Sequence, residues 1–229
     1  LQLKSNEEKV KELNRHITQN VLKRYLPGDL VDEVIEGKLT FDEKPVSQKI
    51  TILFSDLIGF TKVSSTLNAE KVSIILNQYL DQMISIISNY GGTIDKFMGD
   101  GMMVFWGAPK NLSPGDQAML ATACAKSMQQ SMIKLNQHWK NDFFGELKMR
   151  VGIAHGSAVV GNFGNEKRSD YSAVGLSVNL ASRIESVCSP GDVFISQEVR
   201  DLLTKDQYEL AGSFELKGIS EPIDLFKLV

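Results

Sequence analysis

The sequence predicts an α+β fold in which an antiparallel-rich sheet is covered by helices and preceded by an N-terminal helix. Three observations carry this. Short apolar runs rich in β-branched and aromatic residues, such as 50–54, alternate with long stretches of helical spacing, such as 72–90. The order strand, helix, hairpin, helix, hairpin, helix, strand, short helix and strands sets hairpins between helices, which favours antiparallel pairing. Finally, 229 residues with 42% hydrophobic and 23% charged content are enough to bury a full core.

Residues 1–24 are polar with a thin apolar seam. Leu3, Val10 and Ile17 fall seven apart with Leu13 on the same stripe, while Asn6 and Asn20 occupy the other seam positions. The pattern fits a two-stranded coiled coil whose register is set by polar seam residues, and equally a single amphipathic helix. Pro27-Gly28 breaks it, residues 30–35 form a further short helix, and the charged, turn-like stretch 38–45 sets a domain boundary near Val46. The expected organisation is a helical segment over 1–46 and a main domain over 47–229.

The run 50–54 is short enough for a strand buried on both faces and ends at Ser55-Asp56. Asn68 then caps a helix with Glu70 in its first turn. Its apolar positions are Val72, Ile75, Leu76, Tyr79, Leu80, Met83, Ile87 and Tyr90, and Gly91-Gly92 ends it. The apolar runs Thr93–Met98 and 102–106 flank Gly99-Asp100-Gly101, and an Asp-Gly pair between such runs predicts a hairpin with the Asp100 carboxylate at an exposed tip. Ser113-Pro114-Gly115-Asp116 starts a long helix with the stripe Ala121, Ala125, Met128, Met132, Leu135 and Trp139. Runs 148–155 and 157–163 read as a second hairpin joined at Gly156. Residues 175–187 are helical with Leu180, Ile184 and Val187 on one face. Val193–Ile195 is a strand, Ser196 caps a short helix to Leu203, and 208–211, 214–216 and Ile223–Leu228 close as strands.

Net charge of −3 and a pI near 5.7 argue against a general nucleic-acid or anionic-membrane binder. Cys124 and Cys188 are the only cysteines, so a disulfide framework or a cysteine-based zinc site is not expected, and both read as small core residues. No apolar run approaches the roughly 18 residues of a membrane span, and no signal peptide is present. The chain begins at Leu1 rather than Met, which raises the expectation of an upstream sensor in a longer chain.

Two acids follow apolar strands, Asp56 and Asp100. If their strands are neighbours, the carboxylates converge at one sheet edge. At a separation of about 4 Å they would repel by roughly 4 kcal/mol at an effective dielectric of 20, so the pair favours a bound cation. Oxygen ligands with no His or Cys nearby point to Mg²⁺ or Mn²⁺ rather than zinc. Beside Asp56, the turn at Gly59 lets the backbone of Gly59-Phe60-Thr61 approach a phosphate. Asn179 and Arg183 are four apart on one helix face, and Arg150 and Lys217 supply further cations.

The phrases I-T-I-L-F-S-D-L-I-G-F-T, D-K-F-M-G-D-G, M-R-V-G-I-A-H-G, Y-S-A-V-G-L-S-V-N-L-A-S-R-I-E and F-E-L-K-G-I resemble, in order, the motifs of class III adenylyl/guanylyl cyclases. The resemblance covers about Ser47 to Val229, and residues 1–46 resemble the helical transducer that precedes many such domains. It implies a ferredoxin-like, palm-type sheet and conversion of a nucleoside triphosphate to a 3′,5′-cyclic monophosphate and pyrophosphate. By the same resemblance, Asp56, Asp100 and the Leu57 carbonyl hold two Mg²⁺ or Mn²⁺ ions. Arg183 stabilises charge on the α-phosphate, Asn179 orients the ribose, and Arg150 and Lys217 meet the terminal phosphates. The family's site lies at a dimer interface. This chain carries both residue sets, which implies a homodimer with two equivalent sites, in the cytoplasm, with a coiled coil setting the angle between domains.

Base choice follows from donors and acceptors. Lys96 only donates, so it suits adenine N1 and opposes the protonated N1 of guanine. The second base-reading position matches Ser172, as in a subset of the family with Ser or Thr there. Its hydroxyl both accepts and donates, so ATP is favoured, with a guanylyl or dual-specificity cyclase as the alternative. An inert regulatory module is the other alternative, against which stand both metal acids and Arg183. The G-G-[DE]-E-F run of diguanylate cyclases is absent.

Overall fold

The computed structural model describes residues 2–23, 28–37, 44–141, 146–165, 167–204 and 207–229, and the chain divides into two units, Leu1–Lys44 and Pro45–Val229. In the first unit, α1 (Gln2–His16) continues as a π-helical segment, Ile17–Leu22, before α2 (Gly28–Ile35). The regular α period behind the heptad pattern therefore stops at His16. Val10 and Leu13 on the apolar stripe are 56% and 58% exposed. Lys23 pairs with Asp32 at 2.7 Å, joining the end of the π segment to α2. The break at Pro27 lies outside the described residues, as do the side chains of Leu3 and Asn20.

The second unit is built around β1 (Val46–Ile58), which is longer at both ends than the apolar run 50–54. β1 is flanked by two antiparallel partners, β3 (Gly101–Trp106) and β4 (Lys148–Asn165), and residues 50–55 between them are buried. With β2 (Thr93–Met98), β5 (Arg168–Val174), β6 (Val193–Ile195), β7 (Tyr208–Phe214) and β8 (Ile223–Leu228), the described strands form one sheet ordered β2-β3-β1-β4-β6-β8-β7, with β5 paired to β4. The β4–β6 pair is parallel and the others are antiparallel.

The helices are α3 (Phe60–Thr66), α4 (Ala69–Asn89), α5 (Pro114–Trp139), α6 (Leu176–Val187) and α7 (Gln197–Asp201). The capping residues act as their chemistry requires. Asn68 accepts from Lys71 N–H at 2.9 Å, and Ser113 accepts from Asp116 N–H at 3.2 Å. α4 buries Ile75, Tyr79, Met83 and Ile87, and α5 buries the whole stripe from Ala121 to Trp139. The two core indoles are satisfied: Trp106 donates to Tyr90 O at 2.8 Å and Trp139 to Gln78 Oε1 at 2.7 Å. Both cysteines are buried, and burial pushes their thiols up, to about 12 for Cys124 and about 11 for Cys188, as inert core residues.

Several expectations are corrected. There is no hairpin at Gly156: β4 runs through it for 18 residues and turns only beyond Asn165, into β5, a strand the sequence reading missed. Gly156 answers to helix packing instead, since a Cβ there would stand 2.4 Å from Ser177 Oγ of α6. The runs 208–211 and 214–216 are not two strands. β7 is continuous to Phe214, with its register shifted between Leu210 and Gly212. α3 is an additional helix. On α6 the buried residues are Val178, Ala181, Ile184 and Glu185, so Leu180 and Val187 turn partly outward. The cause is a close helix–sheet contact: a Cβ on Gly152 of β4 would meet Glu185 N at 2.2 Å and Ala181 O at 2.5 Å.

That contact makes a prediction. Gly152→Ala must push α6 off the sheet, and overpacking of this kind costs about 1–3 kcal/mol. Urea or thermal unfolding is expected to show that loss, whereas Gly115→Ala, where a Cβ meets nothing within 4 Å, should leave stability nearly unchanged.

Candidate active site

The β2–β3 turn places Asp100. Gly99 takes the left-handed conformation at φ 71°, and among the described residues no non-glycine has positive φ, so Gly99 rather than Asp100 bends the hairpin. Asp100 is half-buried, not an exposed tip, although the end of β2 is open, with Phe97 and Met98 each 46% exposed. Gly101 serves close approach: a Cβ there would lie 3.0 Å from Ser55 O and 3.6 Å from Asp56 Oδ1. With β3 held against β1 in this way, Asp100 Oδ2 accepts the Leu57 N–H at 3.2 Å. Asp56, Leu57 and Asp100 are therefore brought together at one end of the central strands.

Burial raises the Asp100 carboxyl above its usual range, its own and the Leu57 backbone N–H bonds oppose this, and the Asp56 charge adds to the rise. The phenol of Tyr79, buried behind the pair, is pushed above its ordinary range mainly by burial, with the Asp100 and Asp56 charges adding. Arg150 stands directly opposite Asp56 in the β1–β4 register and pairs with Asp56 Oδ2 at 3.2 Å. Its Nε pairs with Glu185 of α6, and its other terminal nitrogen donates to Ser186 O at 3.3 Å. Glu185 is raised by burial, lowered by Arg150, and raised again by Asp56.

Two neighbouring carboxylates, one of them raised by burial and by the charge of the other, beside the Leu57 backbone, suit a hard divalent cation. Among the described residues, no group of three or more His, Cys, Asp or Glu is placed to hold a metal ion. A pair of carboxylates fits a hard cation of the kind that takes one or two carboxylates and completes its shell with water and substrate phosphates.

A second group forms where β2 meets β5, two strands that share no ladder. Lys96 Nζ lies 3.5 Å from Ser172 Oγ, although the two are 76 residues apart. Between them sits Asp95, which the sequence reading passed over. Its Oδ2 accepts from Ser172 Oγ at 2.6 Å and from Ala173 N–H at 3.2 Å, and its Oδ1 faces Lys96 Nζ at 3.3 Å. The signal available was an acid next to a lysine inside an otherwise apolar strand run.

A third group lies on α6. Asn179 is exposed and Arg183 half-buried, one turn apart. The Arg183 guanidinium comes within 3.3 Å of where a Cβ on Gly218 would stand, so the turn carrying the exposed Lys217 closes on it; Gly218 takes φ 73°. Gly59 caps α3 at φ 93°, with Phe60 and Thr61 opening the helix.

The raised Asp100 carboxyl predicts a pH effect. A folded-state pKa above the unfolded value contributes stability at low pH that is lost as pH rises through the folded value. In metal-free protein, Asp100→Asn is therefore expected to melt higher than the parent at neutral pH, with the gap closing on acidification. Thermal melts across pH check this, and a gap that widens in acid contradicts it.

The family model for the adenylate and guanylate cyclase catalytic domain matches residues 43–228. Adenylate cyclase 1 of Rhizobium meliloti is 30% identical over 90% of this chain, which spans 31% of that protein. An adenylate cyclase of Anabaena cylindrica is 29% identical over 92% of this chain, which spans 43% of it. The chain thus spans less than half the length of these curated relatives. Among solved structures, the adenylyl cyclase CyaB from P. aeruginosa superposes with a TM-score of 0.78 at 39% identity, covering 82% of this chain and 96% of that one. The guanylyl cyclase Cya2 does so with 0.75 at 40%, covering 81% and 94%.

Proposed function

The chain belongs to the adenylate and guanylate cyclase catalytic-domain family, and on that premise we propose that it converts ATP to 3′,5′-cyclic AMP and pyrophosphate. The ribose 3′-oxygen attacks the α-phosphorus in line. The new bond is 3′-O to phosphorus, the bond to the β-phosphate oxygen breaks, the 3′-hydroxyl loses its proton, and pyrophosphate leaves. Likeness to CyaB and to Cya2 is nearly equal, so overall similarity does not choose the base. The observation that carries ATP is the convergence of Lys96 on Ser172 at 3.5 Å, a donor and an acceptor that match adenine N1 and its 6-amino group.

Asp56, Asp100 and the Leu57 carbonyl would hold two Mg²⁺ or Mn²⁺ ions, which lower the pKa of the 3′-hydroxyl and neutralise phosphate charge when bound. Arg183 donates to the α-phosphate as charge builds there, and Asn179 orients the ribose. Lys217, on the turn beside Arg183, meets the terminal phosphates, and the backbone of Gly59-Phe60-Thr61 lies against them. Arg150 balances Asp56 before substrate binds and turns to the terminal phosphates afterwards.

The working form in this reading is a homodimer. Asp56 and Asp100 come from one subunit and Lys96, Ser172, Asn179 and Arg183 from the other, giving two equivalent sites. Exposed Val10 and Leu13 support residues 1–46 as a helical signalling segment that pairs between subunits, with 47–229 as the catalytic domain. The greater length of the relatives supports an upstream sensor domain. No helix among the described residues is long and apolar enough to cross a membrane, and we place the catalytic domain in the cytoplasm, where ATP is abundant.

Two measurements test the reading. With Mn²⁺, ATP turnover is expected to exceed GTP turnover, and the reverse would overturn the base assignment. Asp56→Ala and Arg183→Ala should each be inactive, the latter by about 10²–10³ in rate. Mixed, they should recover roughly a quarter of parental activity, since half the dimers are mixed and each holds one intact site. No recovery despite demonstrated subunit exchange rules out the shared site.

A further inference from the structure

The proposed reaction leaves the Asp95 carboxylate without a task, although its side chain is only 1% exposed. A buried carboxylate is tolerated where its oxygens are hydrogen-bonded or ion-paired, and here both are matched. Oδ2 accepts from Ala173 N–H at 3.2 Å, and Oδ1 faces Lys96 Nζ at 3.3 Å. An amide N–H and an ammonium can only donate, so both carboxylate oxygens act as acceptors. The Ser172 hydroxyl, 2.6 Å from Oδ2, must then direct its proton at the carboxylate, and the distance suits an O–H···O⁻ bond.

A hydroxyl has one proton. Once it is committed to Asp95, Ser172 Oγ has only lone pairs left to offer a base. The β2 backbone explains how one strand delivers two adjacent side chains to this cluster. The β2–β3 register slips between Ile94 and Lys96, leaving Asp95 as the extra residue of a bulge. A regular strand would send Asp95 and Lys96 to opposite faces.

Resting on the reading of Lys96 and Ser172 as the base-recognising pair, we propose that Asp95 is a positioning residue for nucleotide choice. It makes the Ser172 hydroxyl an obligate acceptor, which takes a hydrogen bond from the 6-amino group of adenine and opposes the 6-oxo group of guanine. A serine that on its own tolerates either base thereby discriminates as a carboxylate would.

The test measures kcat/KM for ATP and GTP with Mn²⁺ in the parent and in Asp95→Asn. The amide keeps the size of the side chain but can present its NH₂ to Ser172, freeing the hydroxyl to donate. The ATP/GTP ratio is expected to fall roughly tenfold or more. Adding Ser172→Asp to Asp95→Asn should restore it, because a carboxylate accepts whatever its neighbour is. An unchanged ratio in a variant that melts like the parent, or a lowered ratio that Ser172→Asp does not rescue, overturns the proposal. A parent that prefers GTP overturns the underlying base assignment and this inference with it, and is seen before any variant is made. If Asp95→Asn is too unstable to assay, the unsubstituted protein decides through two analogues. One is purine riboside triphosphate. The other is its 6-fluoro derivative, whose small C6 substituent carries only lone pairs. The fluoro compound is expected to be the poorer substrate; equal or better turnover means that Ser172 can donate, and the proposal fails.

Discussion

The β1–β4 ladder is the constraint on which the site depends. It runs in unbroken antiparallel register from Val46 opposite Val160 to Ile58 opposite Lys148. Register in a sheet is all or nothing, since a slip of one residue turns every side chain to the other face. Here it sets Arg150 against Asp56 and seats Gly152 under Glu185, two residues along the same strand. One strand therefore supplies both the counter-charge of the carboxylate pair and the smooth patch on which α6 rests. α6 in turn returns Glu185 to the same guanidinium and carries Arg183.

The charges at this end of the strands are arranged so that none is both buried and alone. Arg150 pairs with Asp56 and Glu185, Asp100 adds a third carboxylate beside Asp56, and Asp100 and Glu185 owe their raised carboxyls first to burial. Such a surplus of negative charge weakens the apo domain and favours whatever cation relieves it. The Lys96–Asp95–Ser172 cluster works the other way. Its carboxylate is matched on both oxygens, so its effect is on geometry rather than on affinity for a cation.

Much of this was legible from residues alone, because the informative signals are local. Asn68, Ser113 and Ser196 announce helix starts through their own side chains, and the stripe on α5 shows at its spacing. Asp56 and Asp100 are marked as acids at strand ends, whereas Lys96 and Ser172 are reached only through the motifs of the family. Glycine was the chief source of error. Gly156 looks like a turn in the sequence, whereas its lack of a side chain admits Ser177, a contact between residues 21 apart that no window reveals. The same holds for Gly101 against Ser55 and for Gly152 against α6. Asp95 escaped for a related reason: only the bulge in β2 and the approach of β5 give it its partners.

The glycine contacts also bear on how such a domain can diversify. Where helix and strand touch backbone to backbone, as at Gly152, there is no neighbouring substitution to drift through, and a lineage is held to that residue. Lys96 and Ser172 have no such restriction, since one is at the rim and the other answers to Asp95. In the proposed reading, a change of nucleotide can therefore evolve by exchange of a few side chains around Lys96 and Ser172, while the frame beneath stays fixed. Specificity as proposed and architecture then occupy different residues, so selection on one need not disturb the other.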